Sequence, residues 1–328
     1  MTTSAEGLEI VPSRPEHEPQ ILELLAGTLG RENSALEAEF FRWKHTRNPF
    51  GSSRSWVALV GGEVVGFRTF LRWEFVHDGA TVGAVRAVDT ATRADQQGKG
   101  IFTRLTQRAL EALEDEGVAL VFNTPNDQSR PGYLKMGWQV VGRLPVGMRP
   151  TSLRSLVRIV GARAPADRWP QECSTGIPAP DVMADASALR ELLSETSGGA
   201  GLQTHRSVEF LRWRYGWDPL GYRAVTVSRD PAEGVAIFRT RRRGDALEAS
   251  LLELLVPELV PRIARDLVGR IARATGVDYV LRLTQHGRAG GFLPVPRSGP
   301  VLTARALGAT PIPAMAEWRL GLGDVELF

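Results

Sequence analysis

Apolar and polar residues along the first half of the chain predict an alternation of strands and helices. The runs that predict strands cover residues 8–11, 55–60, 63–75, 81–90, 118–123 and 138–141. Apolar residues recur at helical spacing over residues 15–29, 35–45 and 100–116. This order of elements predicts an α/β fold built on a mixed sheet.

The second half of the chain repeats this order and also repeats a phrase of the first half. EFFRWKHTRNPFG at residues 39–51 aligns without a gap with EFLRWRYGWDPLG at residues 209–221, and 6 of the 13 positions are identical. The tripeptide FRT also recurs, at residues 67–69 and 238–240. These repeats indicate duplication of a whole domain, because solenoid repeats have periods of about 20–50 residues. We interpret the shared phrase as helix packing followed by a turn, with contacts to an acceptor substrate as the alternative.

The length of the chain also favours two domains. Its 328 residues exceed the roughly 250–300 residues at which a single hydrophobic core stops growing. We place the first domain at residues 1–150 and the second at residues 176–328. Residues 151–175 are rich in Arg, Ala and Pro and are interpreted as a linker, although residues 152–162 could form a docking helix.

Composition and charge exclude several classes of protein. The single cysteine, Cys173, and five scattered histidines give no cluster of metal ligands, so no metal site is predicted. No run of about 18 apolar residues predicts a membrane span. The first residues lack the basic and apolar regions of a signal peptide, so we expect a cytoplasmic protein. The net charge of +3 and the basic pI of about 9.3 permit a phosphate-bearing or acidic ligand.

The stretch VRAVDTATRADQQGKGIFTRL at residues 85–105 is the strongest candidate for a binding site. A predicted strand ends near residue 90, a polar turn with two glycines follows, and a predicted helix begins at residue 100. Backbone N–H groups at the start of such a helix can bind a phosphate, and Gly98 and Gly100 permit positive φ angles and close approach. The Walker and dinucleotide patterns do not fit, because Lys99 is not followed by Ser or Thr and Thr103 replaces the last glycine. A simple helix cap is the alternative interpretation.

Two motifs in the first half resemble those of the GCN5-related N-acetyltransferases, the GNAT family. QGKGI at residues 97–101, after a strand, resembles the acyl-CoA pyrophosphate loop of the family, Gln/Arg-x-x-Gly-x-Gly/Ala, with Phe102 in place of the final small residue. NDQSRPGYLKMGW at residues 126–138 resembles the family's Asn-x-x-Ser/Ala…Tyr-x-Lys-x-Gly-Phe segment. The resemblance covers residues 7–148 by these motifs and residues 176–328 by the repeat and the element order. It implies two tandem GNAT-like domains.

The resemblance also implies a donor, an acceptor and a set of site residues. It implies that acetyl-CoA donates an acetyl group to a primary amine, which attacks directly in a ternary complex. It implies that Tyr133 is the general acid for the departing CoA thiolate, and that a backbone N–H near Val88–Thr90 stabilises the oxyanion. The residues implied for CoA binding are Val88, Thr90, Arg93, Gln97, Gly98, Lys99, Gly100, Ile101, Phe102 and Asn126.

Several of these roles have alternatives that the sequence leaves open. Asp89, at the predicted strand end, is a candidate for the base, and its alternative role is to partner a turn or a helix start. The tandem enhanced-intracellular-survival aminoglycoside acetyltransferases use a C-terminal carboxylate as base, so resemblance to them implies the carboxylate of Phe328 as another candidate. Arg93 could instead be a solvated surface residue, and Tyr133 a packed aromatic residue.

The second half lacks the glycine turn. After the apolar run at residues 251–256 the chain reads PELVPRIARDLVGR, where Pro257 and Pro261 remove N–H donors and Glu258 adds a negative charge. We therefore expect a degenerate second domain that keeps the architecture but not the CoA site. Two rival functions are a Fem-type aminoacyl transferase, against which the CoA-like loop argues, and a non-catalytic acyl-CoA sensor or interaction module. No nucleic acid and no membrane is expected as a partner.

Overall fold

The chain forms two compact units. The computed structural model describes residues 7–30, 32–161, 165–196, 199–257, 261–274, 276–284 and 291–326. Unit 1 consists of Met1–Phe75, Gly79–Gly142 and Val301–Met315, and unit 2 consists of Val76–Asp78, Arg143–Pro300 and Ala316–Phe328. Each unit therefore draws on more than one segment of the sequence.

The helices and strands are named here in chain order. The strands are β1 (Leu8–Pro12), β2 (Arg54–Val60), β3 (Glu63–His77), β4 (Ala80–Thr92), β5 (Leu120–Asn123), β6 (Gln139–Arg143), β7 (Val146–Pro150), β8 (Ile177–Pro178), β9 (Leu202–Thr204), β10 (Arg223–Thr226), β11 (Val235–Arg243), β12 (Ala246–Leu255), β13 (Tyr279–Leu283), β14 (Leu293–Pro294), β15 (Val301–Ala306) and β16 (Trp318–Arg319). The helices are α1 (Glu18–Leu29), α2 (Ala35–Thr46), α3 (Ile101–Asp115), α4 (Arg130–Lys135), α5 (Leu153–Gly161), α6 (Ala179–Ala184), α7 (Ala186–Thr196), α8 (Val208–Tyr215), α9 (Pro261–Ala274) and α10 (Leu322–Val325).

Both units contain a mixed sheet. In unit 1 the strand order is β1-β2-β3-β4-β5-β15-β6, and β4 and β5 are parallel because α3 connects them. In unit 2 the order is β14-β7-β13-β12-β11-β10-β8, and β12 and β13 are the parallel pair. The predicted α/β fold with mixed sheets is confirmed.

Helix α3 is fixed to the sheet of unit 1 by one apolar face. Ile101, Leu105, Ala109 and Leu113 are all buried, and their spacing of four residues places them on the same side of the helix. The helix approaches β3 so closely at Gly66 that a Cβ there would lie 2.7 Å from Ile101 Cγ2. The predicted phosphate-binding turn is therefore held in place by the core beneath it.

The two copies of the repeated phrase fold in the same way. Ser34 Oγ accepts a hydrogen bond from the Glu37 N–H at the start of α2, and Ser207 Oγ accepts one from the Phe210 N–H at the start of α8. Equivalent aromatic pairs then pack in each core, namely Phe40 and Trp43 in α2, and Phe210 and Trp213 in α8. The repeat thus encodes an N-cap and a packing face.

The strand orders of both sheets include a strand from the other half of the sequence. Strand β15 lies between β5 and β6, and β7 lies between β13 and β14. GVALV at residues 117–121 matches GVDYV at residues 276–280. On this alignment, β15 pairs with β5 in the same register as β7 pairs with β13. Arg305 of β15 is opposite Val121, and Arg149 of β7 is opposite the equivalent Val280. The two halves therefore exchange equivalent strands.

This exchange moves the limits of the compact units away from the predicted domain limits. Unit 1 stops at residue 142 and includes residues 301–315, whereas the sequence placed the first domain at residues 1–150. The predicted linker at residues 151–175 contains helix α5, which matches the alternative of a helix at residues 152–162. Among the described residues, no helix is long and apolar enough to cross a membrane.

Candidate active site

The turn between β4 and α3 is exposed over residues 97–100. Gly98 and Gly100 both have a φ of 75°, and Gly100 is the N-cap of α3 without any capping side chain. In the part of the chain that the structure describes, the N–H groups of residues 98–103 donate to no protein acceptor. Because these donors lie at the positive end of a 15-residue helix, the turn can bind an anion such as a phosphate.

The side chains of this turn bind within the turn or point into the core. Lys99 Nζ donates to Gln96 Oε1 at 3.0 Å, and Gln97 Nε2 donates to the Thr92 carbonyl at 3.1 Å. The Ile101 side chain is buried in the core. A ligand at this turn would therefore meet mainly the backbone of residues 97–102.

Arg93, which the sequence placed near the CoA phosphates, lies beside two carboxylates. Its Nε donates to Asp95 Oδ1 at 2.8 Å, and its Nη1 donates to Glu63 Oε2 at 2.9 Å. Their charges offset the charge of the guanidinium. The contacts favour the alternative of a surface residue over a contact with phosphate.

Asp89 interrupts the end of β4 with an unusual backbone conformation. Its φ is 37°, in the left-handed region that costs roughly 1–2 kcal/mol for a residue with a Cβ and that Asp and Asn tolerate best. Its Oδ2 accepts hydrogen bonds from Lys44 Nζ at 2.6 Å and from His45 Nε2 at 2.9 Å, and His45 Nδ1 lies 2.9 Å from Ser53 Oγ. The strand end is thus tied to helix α2 by a buried cluster of charges.

Unit 2 contains an equivalent of this cluster. Leu120 and Tyr279 are equivalent in the match of residues 117–121 with residues 276–280, and they pair with Ala84 and Glu248. Five residues after Ala84 and Glu248, Asp89 and Glu253 are therefore equivalent. Tyr215 takes the place of His45 in the repeated phrase, and its hydroxyl donates to Glu253 Oε1 at 2.9 Å. Both copies of the phrase therefore bind an acidic residue at the end of a central strand.

Tyr133 lies in α4, whose start is organised by Asn126. The Asn126 Oδ1 accepts hydrogen bonds from the Ser129 N–H and from Ser129 Oγ, both at 2.8 Å. The Tyr133 ring is buried and packs edge-on against Phe102 and Trp138, with centroids 5.5 and 5.1 Å away. Asn126 thus acts on the turn before α4, and Phe102 fixes the ring of Tyr133.

Arg68 joins the two parts of the predicted site, although sequence reasoning did not select it as a site residue. Its Nη1 donates to the Tyr133 hydroxyl at 2.8 Å and also to Thr90 Oγ1, so α4 and the end of β4 meet at one buried guanidinium. The signal in the sequence was the FRT repeat, which places Arg68 in one half and Arg239 in the other.

The equivalent turn of unit 2 joins β12 to α9. Helix α9 begins at Pro261, which lacks the N–H that Ile101 provides at the start of α3. Glu258, named above for its negative charge, and Phe328, whose carboxylate was named as a candidate base, lie outside the described residues.

The family follows from a sequence match to unit 1. Residues 9–141 match the family model of the Acetyltransferase (GNAT) domain. The chain carries a GNAT domain. The predicted resemblance to the GNAT family is thereby confirmed for residues 9–141, which include the turn before α3 and Tyr133.

Solved structures share the fold over most of the chain. A GCN5-related N-acetyltransferase from Anabaena variabilis has a TM-score of 0.62 at 15% identity, and a probable N-acyltransferase from Enterococcus faecalis has 0.61 at 14%. Eis1 from Mycobacterium abscessus has a TM-score of 0.56 at 16% identity. Each comparison covers 92% of this chain and 73% of the other chain, so the shared fold extends beyond the matched GNAT region. No curated protein matches the sequence.

Proposed function

We propose that this chain is an N-acetyltransferase that transfers an acetyl group from acetyl-CoA to a primary amine. The observation that carries the proposal is the start of α3 at Gly100, where backbone donors lack acceptors among the residues that the structure describes. Its position next to Phe102 and Tyr133 supports a site at which a bound pyrophosphate and a thioester would both find partners. The acceptor is proposed only as an amine, of a small molecule such as an amino sugar or aminoglycoside or of a protein.

In the proposed mechanism the amine attacks the thioester carbonyl directly within a ternary complex. An alkyl amine with a pKa near 10.4 is mostly protonated at pH 7, so it must first lose a proton. The oxyanion that forms would receive a hydrogen bond from the backbone near Val88–Thr90, and one such donor contributes about 3 kcal/mol. Tyr133 would then donate its hydroxyl proton to the CoA sulfur as the C–S bond breaks.

Asp89 is the proposed base, and its contacts support a second role as well. The neighbouring ammonium of Lys44 favours the ionised carboxylate, which can accept a proton but is a weak base in this pairing. The same contacts support Asp89 as an anchor between β4 and α2. Substitutions that separate the two roles are described in the Discussion.

A pair of glycine substitutions tests the proposed CoA site. Gly100 and Gly117 lie at opposite ends of α3, have φ values of 75° and 74°, and both leave open space around an added Cβ. Gly100→Ala and Gly117→Ala should therefore each cost roughly 1–2 kcal/mol of stability. Only Gly100→Ala should also weaken CoA binding, by about tenfold or more, because its Cβ and the strained turn displace the donors.

Titration calorimetry with CoA measures this difference, with chemical denaturation as the check on stability. Equal CoA affinity of the two variants would contradict a site at the start of α3. Release of free thiol from acetyl-CoA in the presence of an amine panel tests the reaction itself. Binding of CoA without turnover of any amine would favour the non-catalytic sensor, and binding of charged tRNA instead of CoA would favour the Fem-type transferase.

A further inference from the structure

Arg68 is a buried cation without a carboxylate partner among the described residues. Its side chain is 0% exposed, and its Nε and Nη2 atoms have no hydrogen-bond partner in the described part of the chain. Three aromatic rings surround the guanidinium carbon, with centroids at 4.4 Å for Phe70, 5.2 Å for Tyr133 and 5.5 Å for Phe102. Burial of an uncompensated charge is costly, so this position favours any step that creates a negative charge beside it.

The equivalent arginine of unit 2 does have a carboxylate. Arg239 occupies the same place in the FRT repeat and is also 0% exposed. Its Nη2 donates to Glu326 Oε1 at 3.0 Å, and its Nη1 donates to the Arg168 carbonyl at 3.3 Å. The same side chain is therefore paired with a carboxylate in unit 2 and with two hydroxyl groups, those of Tyr133 and Thr90, in unit 1.

We propose that Arg68 is a positioning residue that prepares Tyr133 for proton transfer, an inference that rests on the proposed acetyltransferase function. Because Nη1 donates to the Tyr133 oxygen, the hydroxyl proton must point away from the guanidinium. When that proton moves to the CoA sulfur, the phenolate that remains lies against a positive charge. The cation thus stabilises the state that proton donation creates.

The proton balance of the proposed step is complete without another reactant. The ammonium acceptor loses one proton before the attack, and the tetrahedral intermediate loses a second one from nitrogen. The C–S bond breaks with its electron pair on sulfur, which takes the proton of Tyr133. The Tyr133 phenolate regains a proton from the acceptor nitrogen, directly or through water, so one proton is released for each acetyl group transferred.

The test compares Arg68→Met with Arg239→Met, the same change at equivalent buried sites. Arg68→Met should lower kcat by about 10–100-fold, less than the roughly 10²–10⁴-fold expected for loss of the general acid itself, while the KM for acetyl-CoA changes less than about threefold. Arg68→Lys should recover part of the lost kcat because it restores the charge. Arg239→Met should lower the melting temperature more than Arg68→Met does, because it removes one of the two guanidinium groups that pair with the Glu326 carboxylate, the other being that of Arg241.

A double-mutant cycle identifies the route of the effect. If Arg68 acts through Tyr133, then Arg68→Met should lower kcat by no more than about twofold in a Tyr133→Phe background. This inference would be overturned if the double variant lost kcat by the product of the two single losses, or if Arg68→Met kept the wild-type kcat. Either result would leave the acetyltransferase function in place. A wild-type chain that neither binds acetyl-CoA nor acetylates any amine would overturn the proposed function and this inference with it.

Discussion

Replacement of Tyr133 by phenylalanine is expected to lower the rate of acetyl transfer by about 10²–10⁴-fold, the range for loss of a general acid. The substitution removes only the hydroxyl, because the ring is held between Phe102 and Trp138 by edge-on contacts. Without that proton, the CoA thiolate must leave as an anion or take a proton from water. Binding of CoA should change less than about threefold, because its pyrophosphate would bind to the backbone at the start of α3.

Tyr222 of unit 2 provides a matched control for this experiment. Tyr222 is buried, and its hydroxyl accepts a hydrogen bond from Arg214 Nη1, as the hydroxyl of Tyr133 does from Arg68. Tyr222→Phe should keep wild-type turnover, measured as thiol release at saturating acetyl-CoA. Unchanged turnover in Tyr133→Phe would reject the role of general acid and favour a packed aromatic residue instead.

The second large effect is on stability. Asp89→Asn should lower the free energy of unfolding by about 3–5 kcal/mol, the usual cost of removing one member of a buried ion pair. The side chains of Lys44 and Asp89 are only 1% and 4% exposed, so water cannot replace the lost carboxylate charge. Asparagine keeps the shape of the side chain and tolerates the φ of 37°, so the change isolates the charge.

A second substitution separates the anchor role of Asp89 from the role of a base. In Asp89→Asn with Lys44→Met the buried ammonium is gone as well, and most of the lost stability should return. If this double variant is stable and turns over amines at the wild-type rate, Asp89 is an anchor. If it is stable but inactive while CoA still binds, Asp89 is the base. Wild-type stability of Asp89→Asn alone would contradict the buried ion pair.

Local patterns in the sequence were sufficient to predict the turn and the helix that form the proposed CoA site. Helix α3 was predicted at residues 100–116 and runs from Ile101 to Asp115, because its apolar spacing and the flanking glycines define it without distant contacts. The turn with Gly98 and Gly100 was predictable for the same reason, since both adopt the positive φ that glycine permits. The α/β fold and the GNAT family followed from these local signals and their order.

Contacts between distant residues could not be read from the same patterns. Arg68 and Tyr133 are 65 residues apart in sequence, and no local pattern around either residue predicts contact with the other. The cluster around Asp89 combines the end of a strand with two residues of α2. The repeated phrase predicted that this helix packs in the core, but not that it binds Asp89. Strand exchange is also invisible locally, because neither VGMRP of β7 nor VLTARA of β15 indicates which sheet the strand joins.

The equivalence between the two units explains what the duplicated phrase does. In each unit the phrase supplies a capped helix, a buried aromatic pair and a side chain that binds an acidic residue of a central strand. Both copies of the phrase keep these structural roles. The glycine turn and the Tyr133–Arg68 pair belong to unit 1, which is why we assign the chemistry to that unit.

Hydrogen exchange of the backbone amides is the most direct test of the central claim, that the start of α3 binds the CoA pyrophosphate. At saturating CoA, amides of residues 98–103 should exchange at least about tenfold more slowly, because each would donate to the ligand instead of to water. Peptides from the start of α9 should show no change. Unaltered exchange at residues 98–103, or protection at the start of α9 instead, would contradict the proposed site.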